Sequence, residues 1–148
     1  MHLLIEFTIH LPAIVRNHNC ISKEKKAKIF NSRVSCSGNV SSMYILPDGK
    51  VTLCEELYWH PHFIIGDLNL NSIEEVWNSP KAHSLFYLKQ SEILNDSSCR
   101  ECTDFNKCRS YKHVCWRDVI LAYGKNKWYY PDPFCPRAPL IEKDISME

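Results

Sequence analysis

The chain of 148 residues lacks several features that mark common classes of protein. No apolar run approaches the roughly 18–20 residues that a membrane span needs, so we expect no membrane partner. Basic and acidic side chains nearly balance, with 18 Lys and Arg against 17 Asp and Glu, which argues against nucleic-acid binding. Only four glycines are present, and 24% charged with 11% aromatic residues is not the composition of a disordered chain. The sequence also contains no Gly-rich phosphate loop, Ser/His/Asp relay or paired-carboxylate catalytic motif.

The apolar opening Met1–Val15 does not have the pattern of an export signal. His2 and His10 bracket it, Glu6 lies inside it, and it has neither a cationic start nor a small-residue cleavage site. Alternate apolar positions within it predict a strand instead. We therefore expect a cytoplasmic protein, whose thiols stay reduced.

In contrast to these absences, the chain contains eight cysteines. In a reducing compartment clustered thiols hold metal more often than they form disulfides, although the even count leaves disulfide pairing as an alternative. The cysteines are Cys20, Cys36, Cys54, Cys99, Cys102, Cys108, Cys115 and Cys135.

Short strands and helices are predicted along the middle of the chain. A Pro-Asp-Gly turn separates two apolar runs and predicts a β-hairpin, since glycine supplies the positive φ that the turn needs. A capping box and a proline at a first helical position predict two helices, and a glycine ends a third. The expected elements are strands at Ser42–Leu46, Lys50–Leu53 and His62–Ile65, and helices at Ser72–Trp77, Ser79–Lys89 and Ser110–Tyr123. The fold class is therefore a small α+β domain of hairpins, two to three short helices and cysteine-bearing loops.

The order and spacing of the cysteines resemble those of a known family of domains. Cys99-x2-Cys102 alone is shared by zinc knuckles, iron–sulfur proteins and redox motifs. The ordered set Cys36-x12-Gly49-x4-Cys54, Cys99-x2-Cys102-x5-Cys108, Cys115 and Cys135 resembles the seven-cysteine signature of the SPASM domain. That domain is the C-terminal extension of a class of radical S-adenosylmethionine (SAM) enzymes, many of which modify peptides. The segments ILPDGKVTLC, IGDL and SIEEVW between these cysteines agree with the family.

The resemblance covers residues 35–139. Residues 1–34 form an N-terminal strand and polar linker, interpreted as the end of an upstream domain, and residues 140–148 form a tail. The resemblance implies two auxiliary iron–sulfur clusters, usually 4Fe–4S. The first would be held by Cys36, Cys54 and Cys115, with Cys20 as a possible fourth ligand, and the second by Cys99, Cys102, Cys108 and Cys135. The common spacing of the family falls on Lys112, where this chain has its next thiol at Cys115 instead.

The resemblance also implies partners. The chain has no Cys-x3-Cys-x2-Cys motif for the SAM-cleaving cluster and lacks the roughly 200 residues of a βα barrel. We therefore expect no catalysis by the chain alone, and S-adenosylmethionine only through a barrel domain in cis or in trans. The expected role is electron transfer or substrate docking, with a peptide or protein substrate and a reductant such as flavodoxin or ferredoxin.

A zinc-stapled structural or interaction module is the alternative function. All-thiolate zinc sites usually pair two short knuckles, whereas only one short pair occurs here, which favours iron–sulfur. His60 and His62 are interpreted as an exposed turn pair and not as ligands. His113 is a candidate to hydrogen-bond a cluster sulfur and so shift the reduction potential. Arg109 and Lys112 are candidates to do the same through their charge, but we favour a solvated helix face for both.

Overall fold

A three-stranded antiparallel sheet forms the centre of the computed structural model, which describes residues 18–110 and 114–142. Its strands lie in the order β1 (Tyr44–Ile45), β2 (Lys50–Thr52) and β3 (Ile64–Asp67). The predicted hairpin is confirmed: β1 pairs with β2 around a turn in which Gly49 has φ +86°. The third strand starts two residues later than predicted, because Pro61–Phe63 forms a 3₁₀ turn first.

The helices follow the predicted starts more closely than the predicted ends. The capping box is confirmed, since the Ser72 hydroxyl accepts from the Glu75 N–H while the Glu75 carboxylate accepts from the Ser72 N–H. The second predicted helix begins at its proline but ends before Lys89. The helix predicted over Ser110–Tyr123 begins only after Cys115, and an additional helix precedes it. The helices are α1 (Lys23–Asn31), α2 (Ile73–Trp77), α3 (Pro80–Phe86), α4 (Phe105–Ser110) and α5 (Trp116–Tyr123).

The main core lies between the sheet and α2, α3 and α5, and contains Val51, Leu53, Phe63, Ile65, Val76, Leu85 and Ile120. Two smaller apolar clusters lie under the cysteine loops. One contains Leu88, Ile93, Phe105 and Tyr129 and packs against Cys99 and Cys102. The other joins Phe30 of α1 to Val114 and Val119 and packs against Cys108. The cysteine loops are therefore held by the folded core of the domain.

The α+β class predicted from the sequence is confirmed by this arrangement of sheet and short helices. The strand predicted within Met1–Val15 lies outside the described residues. Within the described residues, no helix combines the length and the apolar composition needed to cross a membrane.

Candidate metal centres

Seven of the eight cysteines border two separate cavities, and all eight are free thiols. The first cavity is bordered by Cys36, Cys54 and Cys115. The second is bordered by Cys99, Cys102, Cys108 and Cys135. The cavity linings thus divide these seven cysteines into the same two sets that the resemblance implies, and in the second set Cys135 joins three cysteines that lie within ten residues of one another. That each set holds a cluster stays a prediction.

The Cys-x2-Cys loop of the second cavity is fixed by an upstream glutamine. The Gln90 side-chain amide donates to the carbonyl oxygens of Cys99 and Cys102, at 3.0 Å and 2.9 Å. Arg100 in turn donates to the carbonyl oxygen of Gln90 at 3.2 Å and to that of Ile93 at 3.2 Å. These bonds orient the loop through its backbone, and both of its cysteines border a cavity of about 650 Å³.

The remaining walls of the second cavity come from α4 and the C-terminal loop. Cys108 lies on α4, and the N–H of Cys135 donates to the Asp132 carbonyl oxygen at 2.7 Å. The Arg137 guanidinium donates to the sulfur of Cys102 at 2.8 Å and to the Asp104 carboxylate at 3.1 Å. A positive group therefore already lies against one thiol of the set.

The first cavity is narrower and opens at one side. Its volume is about 50 Å³, and Cys36 is exposed while Cys54 and Cys115 are half-buried. Cys54 follows β2 directly, and Cys115 is the residue that precedes α5. The chain beside Cys36 passes close to the hairpin, because a Cβ on Gly38 would lie 2.5 Å from the Leu53 carbonyl oxygen.

Asp132 connects the two sets. Its carboxylate is completely buried, forms a 2.5 Å ion pair with Arg33 and accepts from the N–H of Cys115 at 3.1 Å and of Phe134 at 2.9 Å. Burial raises the pKa of Asp132, and the Arg33 guanidinium and the two N–H groups offset part of that rise. One side chain thereby fixes the backbone at Cys115, and its own carbonyl oxygen holds Cys135.

Burial disfavours the thiolate forms in both sets. It raises the pKa of Cys108 and of Cys115 to about 11, and also raises the pKa of Cys54, Cys99 and Cys135. These thiols are therefore protonated at neutral pH in the metal-free chain. A bound metal must displace the protons, and its positive charge replaces the solvation that burial removed.

The donor sets fit iron–sulfur clusters. Four thiolates complete the ligand set of a 4Fe–4S cluster, whereas three leave one iron for another ligand. Zinc would instead take thiolates at about 2.3 Å from a single point. Among residues 18–110 and 114–142, no three His, Cys, Asp or Glu side chains are grouped closely enough to hold a metal ion. Two buried N–H donors of the first cavity, on Arg109 and Trp116, have no partner and suit a sulfur-rich acceptor.

The remaining thiol, Cys20, is exposed and is not among the residues that border either cavity. The sequence favours a free thiol in a linker at Cys20 over a fourth ligand of the first set, and the structure adds no contact in support of the ligand role. His113 and Lys112 lie outside the described residues.

Two interpretations from the sequence are wrong. His60 is buried and not exposed: its Nε2 lies 2.7 Å from the Lys125 carbonyl oxygen, and its Nδ1 accepts from the His62 N–H. His62 is half-buried and stacks on Trp128 with ring centroids 3.9 Å apart. Arg109 does not belong to a solvated face, because it is half-buried and borders both cavities.

The residues that orient the cysteines were not found from the sequence. Gln90, Arg100 and Arg33 belong to no motif and act over sequence separations of about ten to a hundred residues. Asp132 had one signal, since an aspartate between two prolines and three residues before a cysteine that follows an aromatic residue is an unusual setting.

Comparison with known families agrees with this geometry. The family model of SPASM, an iron–sulfur cluster-binding domain, matches residues 36–103, which include Cys36, Cys54, Cys99 and Cys102. Cys108, Cys115 and Cys135 lie beyond the matched segment and join the sets through the fold. No curated protein matches the chain, and no solved structure does either. Over residues 36–103 the chain is therefore similar to the SPASM family of iron–sulfur cluster-binding domains.

Proposed function

We propose that the chain is an auxiliary module with two iron–sulfur clusters, each usually 4Fe–4S in the family, that serves a peptide-modifying radical SAM enzyme. The observation that carries the proposal is the division of seven thiols between two cavities in the order that the SPASM signature implies. The family match over residues 36–103 supports the cluster-binding part. The role in an enzyme rests on the resemblance of the full cysteine signature.

When bound, the clusters would supply one-electron redox chemistry, and the first would also have an iron open to another ligand. The chain itself would supply seven thiolates, with Gln90 and Asp132 orienting the backbone that carries them. Arg137 would donate to a ligand sulfur of the second set, which stabilises added negative charge. The exposed side of the first set, at Cys36, is the natural place for a peptide to approach.

Metal and sulfide analysis after anaerobic preparation tests the cluster-binding part. We expect brown protein with about eight irons and equal acid-labile sulfide per chain, and an EPR signal after reduction by dithionite. Replacing both members of one set separates the two sites. The double variants Cys99→Ser/Cys102→Ser and Cys36→Ser/Cys54→Ser should each lose about half of the iron.

Cys20→Ser is the matched control, because this thiol is exposed and borders neither cavity. We expect its iron content to equal that of the wild type. A lower iron content confined to the first set would instead identify Cys20 as the fourth ligand. Stoichiometric zinc in protein made under iron-replete anaerobic conditions would refute the proposal in favour of the zinc-stapled module.

The enzyme context has its own test. Reduced flavodoxin or ferredoxin should bleach the visible absorbance of the reconstituted chain, as expected for an electron-transfer module. The DNA that precedes this sequence should encode Cys-x3-Cys-x2-Cys, either in phase or in a neighbouring reading frame. Absence of that motif from the genomic neighbourhood, together with no reduction by either carrier, would overturn the assignment to a radical SAM enzyme.

A further inference from the structure

Arg109 occupies a special position between the two cavities. Among the described residues that border them, only Arg109 and Val114 border both. Val114 is apolar, so the guanidinium is the only charged group that these shared residues provide. It lies on α4 directly after Cys108 of the second set, with its carbon 5.4 Å from the centre of the Phe105 ring.

Arg109 forms no ion pair with a carboxylate among the described residues. None of the ion pairs found among the described residues includes Arg109, and its Nη2 is buried with no hydrogen-bond partner. A buried donor left unpaired costs free energy, typically 1–3 kcal/mol and more for a charged group. Burial raises the pKa of Cys99, and a hydrogen bond from Arg109 offsets part of that rise. The Nη2 group of Arg109 is still left without an acceptor among the described residues, which indicates a further negative partner at the boundary of the two cavities.

We propose that Arg109 is a positioning residue shared by both cluster sites, and that its single positive charge raises the reduction potentials of both clusters. This inference rests on the proposed cluster-binding function. Adding an electron to a thiolate-bound cluster adds one negative charge, which a nearby cation stabilises. The N–H groups of the guanidinium are also suited to donate to electron-rich sulfurs, and such bonds raise cluster potentials.

Two other arginines provide matched controls, since each borders one cavity only. Arg137 borders the second cavity and pairs with Asp104. Arg117 borders the first cavity and pairs with Glu56 and Asp118. If a position between the cavities is required to act on both clusters, substituting either of these arginines should change the reduction potential of one cluster. Substituting Arg109 should change the potentials of both.

The experiment is EPR-monitored potentiometric titration of the anaerobically reconstituted full chain. Arg109→Gln should lower both midpoint potentials by at least 59 mV, which is a tenfold change in the equilibrium constant of a one-electron reduction. Arg109→Lys, which keeps the charge but loses the planar fork, should shift both by less. Arg137→Gln should lower only the second potential, and Arg117→Gln only the first. A change in one potential or in neither after Arg109→Gln would overturn the inference.

If Arg109→Gln loses iron, its potentials cannot be compared, and the iron content gives the answer instead. Arg109→Gln is then combined with Cys36→Ser/Cys54→Ser, which keeps the second set, and with Cys99→Ser/Cys102→Ser, which keeps the first, and iron is measured in each. Loss from both sets supports the shared role, and loss from the second set alone overturns it. Wild-type protein without iron and sulfide would refute the proposed function itself, so the two failures are distinguishable.

Discussion

Asp132→Asn is the substitution with the largest effect that the structure predicts outside the cysteines. The wild-type carboxylate is 0% exposed and pairs with Arg33 at 2.5 Å, while it also accepts from two backbone N–H groups. The amide of asparagine keeps one oxygen acceptor but loses the negative charge. Its NH2 group would also lie against the N–H donors that the carboxylate accepts from in the wild type. Arg33 is left in a largely buried setting, with only 20% of its side chain exposed and without its principal partner.

The magnitude follows from the cost of breaking a buried ion pair at one partner, which is about 3–5 kcal/mol. Because Arg33 retains some contact with water and a longer 3.4 Å bond to Asp118, we expect the low end of the range, about 3 kcal/mol. With a urea m-value of about 1.5–3 kcal/mol/M, this lowers the unfolding midpoint by about 1–2 M. Iron should also leave both sets faster in the presence of a chelator, since Asp132 fixes Cys115 and Cys135.

The matched control is Asp118→Asn, which removes the outer partner of the same arginine. Asp118 has 27% of its side chain exposed and its bond to Arg33 is 3.4 Å, so a loss of about 0–1 kcal/mol is expected. Both variants are compared with the wild type as reconstituted protein in anaerobic urea titrations followed by circular dichroism. Equal midpoints for the two variants would refute the argument that the buried carboxylate holds the loops together.

Three further perturbations test separate parts of the structure. Gln90→Leu removes both bonds to the Cys-x2-Cys loop, so a chelator should take iron about 10–100-fold more readily from the second set than from the first, measured by iron release. Burial lowers the pKa of His62 to about 4. Between pH 6.5 and 4 the unfolded chain therefore binds more protons at this residue than the folded one, so wild-type stability falls as the pH decreases. His62→Gln should remove about 1–2 kcal/mol of that fall, measured by thermal unfolding at pH 5 and pH 7. Gly38→Ala places a Cβ 2.5 Å from the Leu53 carbonyl oxygen and should cost about 1–3 kcal/mol, with iron loss confined to the first set in metal analysis of the purified variant. Unchanged release from the second set, an unchanged pH dependence or wild-type iron content would contradict the respective prediction.

The local elements were predictable because their signals lie within a few residues. The turn at Gly49 needs a positive φ, and the capping box needs only Ser72 and Glu75. The ends of the elements were less predictable, because they depend on packing. The helix that starts at Pro80 stops at Phe86, where Tyr87 leaves helical geometry and Leu88 turns into the second apolar cluster.

The membership of the two cysteine sets came from the family resemblance and not from spacing. Nothing in the interval from Cys102 to Cys108 indicates that Cys115 faces the other cavity. The interpretation of His60 and His62 as exposed was wrong for a related reason. His60-Pro-His62 has the composition of an exposed turn, but the Lys125 carbonyl oxygen and the Trp128 ring cover it from a segment about 65 residues away.

The shared wall between the cavities explains why the sequence favoured a solvated face for Arg109 over a role of its charge at the clusters. On a helix diagram Arg109 lies among polar neighbours, and its charge favours a solvated face. Arg109 is half-buried because it borders both cavities, as does Val114, and these two residues lie between Cys108 of one set and Cys115 of the other. Interleaving the two sets along the chain therefore places described residues between successive cysteines at the boundary of both cavities. Arg109 is the cation at that boundary among the described residues, and its place there depends on the fold and not on its local sequence, which is why its charge favoured a solvated face.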